Sequence, residues 1–204
     1  AENKEQYFKI FFDCIMKIIG KTGTVAINSY TFQTLRYNKK FIYEKTISSS
    51  GSFSEFLRKK KGSIRSEHPV FSVTAYGKYK RKICSTNSTN NYGYNSPYKN
   101  FLDLNGKILN LGMNPWLNPF FHVAEFFSGV SYCYNKLTKV PYYKNKRKNS
   151  KYFSTFVSYK KPKIERDYTK LKRKLFSKKI VKSTKLGSSY VHFYSARKYF
   201  NLVL

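Results

Sequence analysis

Acidic residues are scarce in this chain. Ten Asp and Glu stand against forty Lys and Arg in 204 residues, giving a formal net charge of +30, most of it carried after residue 139. A field of that sign attracts anions such as nucleic acid, acidic lipid headgroups and nucleotide-linked metabolites, and it repels polycations at long range. A composition rich in Lys, Asn, Tyr, Phe and Ile together also produces such a charge without any selected partner. Cysteine is sparse as well. Cys14, Cys84 and Cys133 form no CxxC pair and no metal-ligand spacing, which argues against structural zinc and suits a reducing cytoplasm. No apolar run reaches the roughly 18 residues of a membrane span. The opening "AENKEQYFKIFFDCIMKIIG" lacks the charge-then-apolar order of a signal peptide, so a cytoplasmic protein is expected. No internal repeat, heptad or collagen-like period is present.

What is present suits a packed protein. Hydrophobic residues make up 41% of the chain and aromatics 19%, and the length suits one domain, 1–204. Residues 4–19 predict an amphipathic helix through Tyr7, Phe8, Phe11, Ile15, Ile18 and Ile19, stopped by Gly20. "GTVAINSYTF" predicts a strand running into a polar loop, and "FSEFLRKKKG" a short helix. A second strand is expected over Pro69–Gly77 and an exposed insertion over Ser85–Pro97. "GKILNLGM" predicts a third strand, followed directly by a helix carrying "NPFFHVAEFF". "VPYYKNKRKNSKYFSTFVSYKK" reads as two strands around a basic hairpin tip. A charged helix near Tyr168–Phe176 and a strand leading into a terminal helix complete the chain. Interleaved strands and helices predict an α/β fold with a mixed sheet flanked by helices.

In "NPFFHVAEFF", His122 and Glu125 stand at i and i+3, on one helix face. Histidine is suited to general-base work because its ordinary pKa of about 6.5 lies near operating pH. The competing reading is a hydrogen-bonded core histidine among Phe120, Phe121, Phe126 and Phe127. In a chain this poor in acids, a carboxylate within so aromatic a segment needs a partner, because burying it alone is costly. "RSEHPVFS" is the second candidate. Arg65 suits a phosphate, His68 is held extended by Pro69, and Ser72 suits an acyl oxygen or a pantetheine arm. The alternative there is a charged loop entering a strand. His192, alternating with aromatics in "YVHFYS", reads as structural, and the cysteines as buried filler.

Four segments, in order, resemble the aminoglycoside 3-N-acetyltransferase family. "GKTGTVAINSYTF" is similar to the family's Gly-Thr-Leu-x-x-Pro-Thr-x-Thr strand and loop. "SGSFSEFLRKKKGSIRSEHPVFSV" resembles its helix followed by Arg-Ser-x-His-Pro-x-x-Ser. "LNGKILNLGMNPWLNPFFHVAE" resembles its strand, turn and His-x-x-Glu helix. "VPYY" with the hairpin, and then "LGSSYVHFYSARKYFNLVL", match more loosely. The chain begins after the point where the family has a further strand and a Ser-rich loop. Its turn "GMNPWLNP" keeps Gly112 and Asn118 but places Trp116, Leu117 and Pro119 where the family has Asp, Ser and Thr.

The resemblance implies direct transfer of an acetyl group from acetyl-CoA to a primary amine of an amino sugar, without a metal. It implies His122 and Glu125 as the catalytic pair, and Ser29, Thr31, Arg65, Ser66, His68 and Ser72 as acetyl-CoA contacts. Trp116 and Asn118 would meet the substrate. Since a +30 chain repels polycations, a nucleotide-linked or cell-surface-glycan amino sugar is the expected acceptor, with an aminoglycoside antibiotic as the alternative. A second alternative is a non-enzymatic RNA- or ribosome-binding protein. "YYKNKRKNSKYF" and "KLKRKLFSKK" interleave basic and aromatic residues as such surfaces do, although no RNP-type or KH-type motif accompanies them.

Overall fold

The structure is a computed structural model and describes residues 2–37, 39–85, 88–162 and 164–204. The first half of the chain forms α1 (Glu2–Ile19), β1 (Thr24–Asn28), α2 (Phe32–Arg36), β2 (Phe41–Ile42), α3 (Ser52–Lys59), β3 (Ile64–Arg65), β4 (Val73–Gly77), α4 (Lys80–Cys84) and α5 (Pro97–Asp103). The second half forms β5 (Lys107–Leu111), α6 (Pro119–Phe127), β6 (Cys133–Lys144), β7 (Arg147–Ser158), α7 (Thr169–Ser177), β8 (Lys182–Leu186), β9 (Ser189–Ser195) and α8 (Ala196–Val203). Among the described residues, no helix is long and apolar enough to cross a membrane.

The fold is α/β, with the strands among the described residues divided among three three-stranded sheets rather than gathered into one. Two compact units hold them. The first comprises Ala1–Asn91, Asn95–Pro97 and Leu137–Thr155, and the second Tyr92–Tyr94, Tyr98–Lys136 and Phe156–Leu204.

In the first unit, β4 is the centre of an antiparallel sheet, with Ala26 opposite Ala75 on one side and Ile64 opposite Ala75 on the other. The strand expected from Pro69 begins only at Val73. The preceding residues turn so that Ser29 and Thr31 donate backbone N–H groups to Ser72 and Val70. Of the mixed sheet, β2 and the hairpin halves of β6 and β7 lie in this unit too. β2 runs parallel to β6, pairing Phe41 with Tyr142, and β6 returns through the basic hairpin as β7. Phe41, Val140, Tyr142 and Phe153 form its buried cluster.

α1 packs through rings: Phe8 and Phe11 meet Phe53, and Phe12 meets Phe56 and Tyr76 edge-on. The buried stripe is therefore centred on Phe12, at 3% exposure. Tyr7 and Ile18, expected on that stripe, face solvent at 64% and 83%.

In the second unit, β9 is central between β5 and β8, antiparallel to both, with Leu109 opposite Phe193 and Thr184 opposite Val191. Phe120, Val123, Ala124, Leu175, Tyr194 and Tyr199 are buried in this unit. The segment 85–97 is not the exposed insertion its polar composition suggests. Asn91 and Ser96 are fully buried and Tyr92 is 3% exposed, while Thr86 and Asn87 lie outside the described residues.

The few acids are shared. Glu55 meets Arg58 and Lys59, and Glu67 meets Lys144 and Lys151, both within the first unit. Asp103 meets Lys99 and Arg197 within the second.

Candidate active site

The helix α6 is defined by its first residues. Asn118 is its N-cap, its Oδ1 accepting the Phe120 N–H at 2.9 Å, and Pro119 follows with a φ already suited to the first turn. The other end of the Asn118 side chain donates to the Pro115 carbonyl at 2.8 Å and to the Tyr194 hydroxyl at 3.2 Å. Tyr194 itself donates to Pro115. Gly112, at φ +67°, makes the turn out of β5 that a side chain would strain. Asn118, predicted to meet substrate, thus spends its polar atoms fixing the start of the helix. Trp116 is half-buried. Its carbonyl accepts the Tyr199 hydroxyl at 3.0 Å, and the ammonium of Lys172 lies 5.2 Å from its ring.

One turn into α6, the His122 Nδ1 and a Glu125 carboxylate oxygen (Oε2) are 2.6 Å apart. With the carboxylate ionised, Nδ1–H is the donor and Nε2 becomes the acceptor. Among the described residues nothing bonds Nε2, and the His122 side chain is 39% exposed while that of Glu125 is 3% exposed. Tyr92 stacks on the imidazole at 5.7 Å and Phe121 meets it edge-on, so ring packing and one hydrogen bond both set its orientation.

Glu125 has two further partners in the second unit that the sequence did not reveal. Arg166 donates Nε–H to Oε1 at 2.7 Å, and the Tyr132 hydroxyl donates to the same oxygen at 3.0 Å. Arg166 also donates from Nη2 to Ser158 Oγ at 2.7 Å and lies 5.6 Å from the Tyr132 ring centre. Burial pushes the Glu125 carboxyl up, but the bonds from His122 and Arg166 outweigh it and hold the group below the usual carboxylate range. Burial and the neighbouring Glu125 push the Tyr132 phenol up to about 12, so it acts as a neutral donor.

The residues expected to contact acetyl-CoA lie together in the first unit, and all are buried: Ser29 0%, Thr31 3%, Arg65 5%, Ser66 1%, His68 2% and Ser72 0% exposed. Arg65 directs its NH groups inward. Nε donates to Ser72 Oγ at 2.8 Å, Nη1 to the Thr46 carbonyl at 2.6 Å and Nη2 to the Ser29 carbonyl at 2.9 Å, with the guanidinium 4.9 Å from the Phe41 ring centre. Burial and the nearby Arg58 pull its pKa down to about 10. Ser29 bonds Thr74 at 2.7 Å and Ser54 at 3.2 Å. Thr31 donates to the Pro69 carbonyl, and Ser66 Oγ accepts the Val73 N–H at 2.9 Å.

His68 is a core histidine in its bonding. Its Nδ1 accepts the Val70 and Phe71 N–H groups at 3.2 and 3.1 Å, and Nε2 faces the Ser154 carbonyl at 3.3 Å. Burial lowers its pKa to about 4. In this geometry the six side chains brace the loops after β1 and β3 and present no free donor fork to a phosphate.

His192 bonds Ser183 at 2.7 Å and stacks on Tyr190, in keeping with a structural role. The cysteines differ from one another. Cys84 is buried, Cys133 half-buried beside Ser158, and Cys14 exposed rather than buried filler.

A family model described as aminoglycoside 3-N-acetyltransferase matches residues 4–204, running through both units. Among solved structures, AAC-IIIb in a binary complex with CoASH aligns at a TM-score of 0.79 and 17% identity, over 96% of this chain and 81% of that one. Sisomicin-bound AAC-VIa aligns at 0.79 and 19%, over 96% and 82%. The YokD protein from Bacillus subtilis aligns at 0.75 and 17%, over 94% and 81%. At these identities the structural likeness establishes the α/β fold, and the family model carries the membership. By that match this chain belongs to the aminoglycoside 3-N-acetyltransferase family, a family of acyltransferases.

Proposed function

We propose that the protein transfers an acetyl group from acetyl-CoA to a primary amine of an aminoglycoside-type amino sugar, with His122 as general base and Glu125 as the group that orients it. The observation that carries this reading is the 2.6 Å His122–Glu125 bond, made through Nδ1 so that Nε2 is left as the basic nitrogen of a partly exposed ring. His122 Nε2 takes a proton from the attacking amine as the N–C bond forms at the thioester carbonyl. The C–S bond then breaks, and the proton passes to the departing thiolate. No covalent enzyme intermediate is needed, which leaves the cysteines without a role in transfer.

The net charge alone favoured an anionic, nucleotide-linked or glycan acceptor. The family match and the sisomicin-bound relative support the aminoglycoside class instead. A net charge acts at long range and is screened within about 8 Å at physiological salt, so it is a weak guide to one pocket. Ser29, Thr31, Arg65, Ser66, His68 and Ser72 serve acetyl-CoA indirectly in this reading, by holding backbone in place. Trp116, half-buried with the Lys172 ammonium 5.2 Å from its ring, lines the acceptor side in this reading in place of the family's polar turn.

Calorimetry with acetyl-CoA, paired with thiol release on adding sisomicin, tests the proposal. His122→Ala retains acetyl-CoA binding and loses turnover by about 10²–10⁴-fold. A wild-type protein that binds no acetyl-CoA, yet binds RNA with a steep salt dependence, would overturn it.

A further inference from the structure

We propose that Arg166 is a positioning residue for the transfer step: it supplies the counter-charge to Glu125 so that His122 need not, and so keeps the imidazole free to act as a base. The inference rests on the N-acetyltransferase reading. It starts from a disparity in burial along the chain of bonds. Glu125 is 3% exposed, His122 is 39% exposed, and a buried carboxylate with no fixed cation is costly. Beside an imidazole alone, that cost is relieved by protonating the ring, which yields an imidazolium–carboxylate pair with no basic nitrogen left.

Arg166 removes this outcome. Its Nε–H bond to Oε1 at 2.7 Å pairs the carboxylate with a permanent cation, leaving Oε2 to accept a single bond from a neutral ring. Geometry adds to charge. The guanidinium is pinned from a second direction by Ser158 Oγ at 2.7 Å and lies against the Tyr132 ring, whose hydroxyl also bonds Oε1. Two donors on Oε1 therefore hold the carboxylate, and through it the tilt of the imidazole bonded to Oε2. A lysine could supply the charge, but it lacks the fork that reaches both Glu125 and Ser158.

The groups facing the pair come from every element around it. They are Glu125 from α6 itself, Tyr132 just before β6 and Cys133 at its start, Ser158 at the end of β7, Arg166 and Tyr168 before α7, Tyr199 of α8, and the Tyr92 ring over the imidazole. Of these only Glu125 and Arg166 carry charge near neutral pH, and they cancel.

Arg166→Gln and Arg166→Lys test this, each first checked for an unchanged melting profile. In Arg166→Gln, kcat falls about tenfold or more, KM for acetyl-CoA stays within about twofold, and the acidic limb of the kcat profile moves up by about one pH unit. Arg166→Lys returns the acidic limb toward wild type while recovering kcat only in part. A readout independent of turnover is the NMR titration of the His122 ring in substrate-free protein, whose midpoint rises in Arg166→Gln by the same amount. An unmoved limb and midpoint in Arg166→Gln overturn the proposal even if kcat falls. A midpoint that moves in a protein unable to acetylate any amine leaves the positioning role intact and removes the N-acetyltransferase reading instead.

Discussion

His68 couples the first unit to pH. Folding places it at 2% exposure with Nδ1 accepting two backbone N–H groups, so the native state holds the ring neutral and its pKa falls from 6.5 to about 4. Between those values the unfolded chain binds a proton that the native state refuses, and stability rises with pH across the window. Lowering the pH through it removes stability at about 1.4 kcal/mol per unit, to a total of about 3 kcal/mol near pH 4. From pH 7.5 to pH 5.0, a span that includes about 1.5 units below the unfolded value, the expected loss is about 2 kcal/mol. Glu55, Glu67 and Glu125 are all held below the usual carboxylate range, so their own losses fall at lower pH. Urea denaturation at pH 7.5, 6.5, 5.7 and 5.0 measures the slope. His68→Asn keeps an acceptor for the two amides but cannot titrate, so it is less stable at every pH and nearly flat through this window. A wild-type slope equal to that of His68→Asn would refute the reasoning.

Two further substitutions test the bracing roles. Arg65→Met strips donors from Ser29, Thr46 and Ser72 and costs about 3–5 kcal/mol in urea unfolding, with any rise in KM for acetyl-CoA accompanied by that loss of stability. A raised KM with intact stability would instead return Arg65 to the phosphate. Tyr194→Phe deletes the hydroxyl shared by Asn110, Asn118 and Pro115. It lowers stability by about 1–3 kcal/mol and, by loosening the cap of α6, lowers kcat several-fold in a thiol-release assay.

The part of the site that could be read from sequence is the part made of neighbours in sequence. His122 and Glu125 lie one helical turn apart, so helix geometry alone brings them together. Asn118 and Pro119 announce the helix start by standard capping chemistry. Arg166 could not be found that way. It sits 41 residues from Glu125, amid lysine-rich sequence where a single arginine carries no signal. The only hint was the buried acid's need for a cation, which names no partner. Arg65 is the converse case. An arginine beside Ser and His suggests a phosphate, yet backbone carbonyls and hydroxyls supplied by the turns around it satisfy the fork equally well. Segment 85–97 misled because its Asn and Ser content reads as a solvated loop, while Asn91 and Ser96 are buried with Tyr92. The helices α1, α3, α6, α7 and α8 and the strands β1, β4, β5, β6, β7 and β9 were legible from their patterns, while the short helices α2, α4 and α5 and the strand β8 were not. Nor were the two-residue strands β2 and β3, which are too short to show a period, and the partner of β2 lies far along the chain.

The sharing of acids sets an uneven tolerance to change. Glu55, Glu67, Asp103 and Glu125 each hold two basic groups at once. Drift that adds one more exposed lysine to such a surface meets little resistance. Loss of Glu55, Glu67 or Asp103 sets two cations adrift together in a chain already at +30, and loss of Glu125 leaves Arg166 without its counter-charge. Sequence divergence in this protein is therefore expected to run freely toward base and to stall at a handful of acids, most of them outside the chemistry.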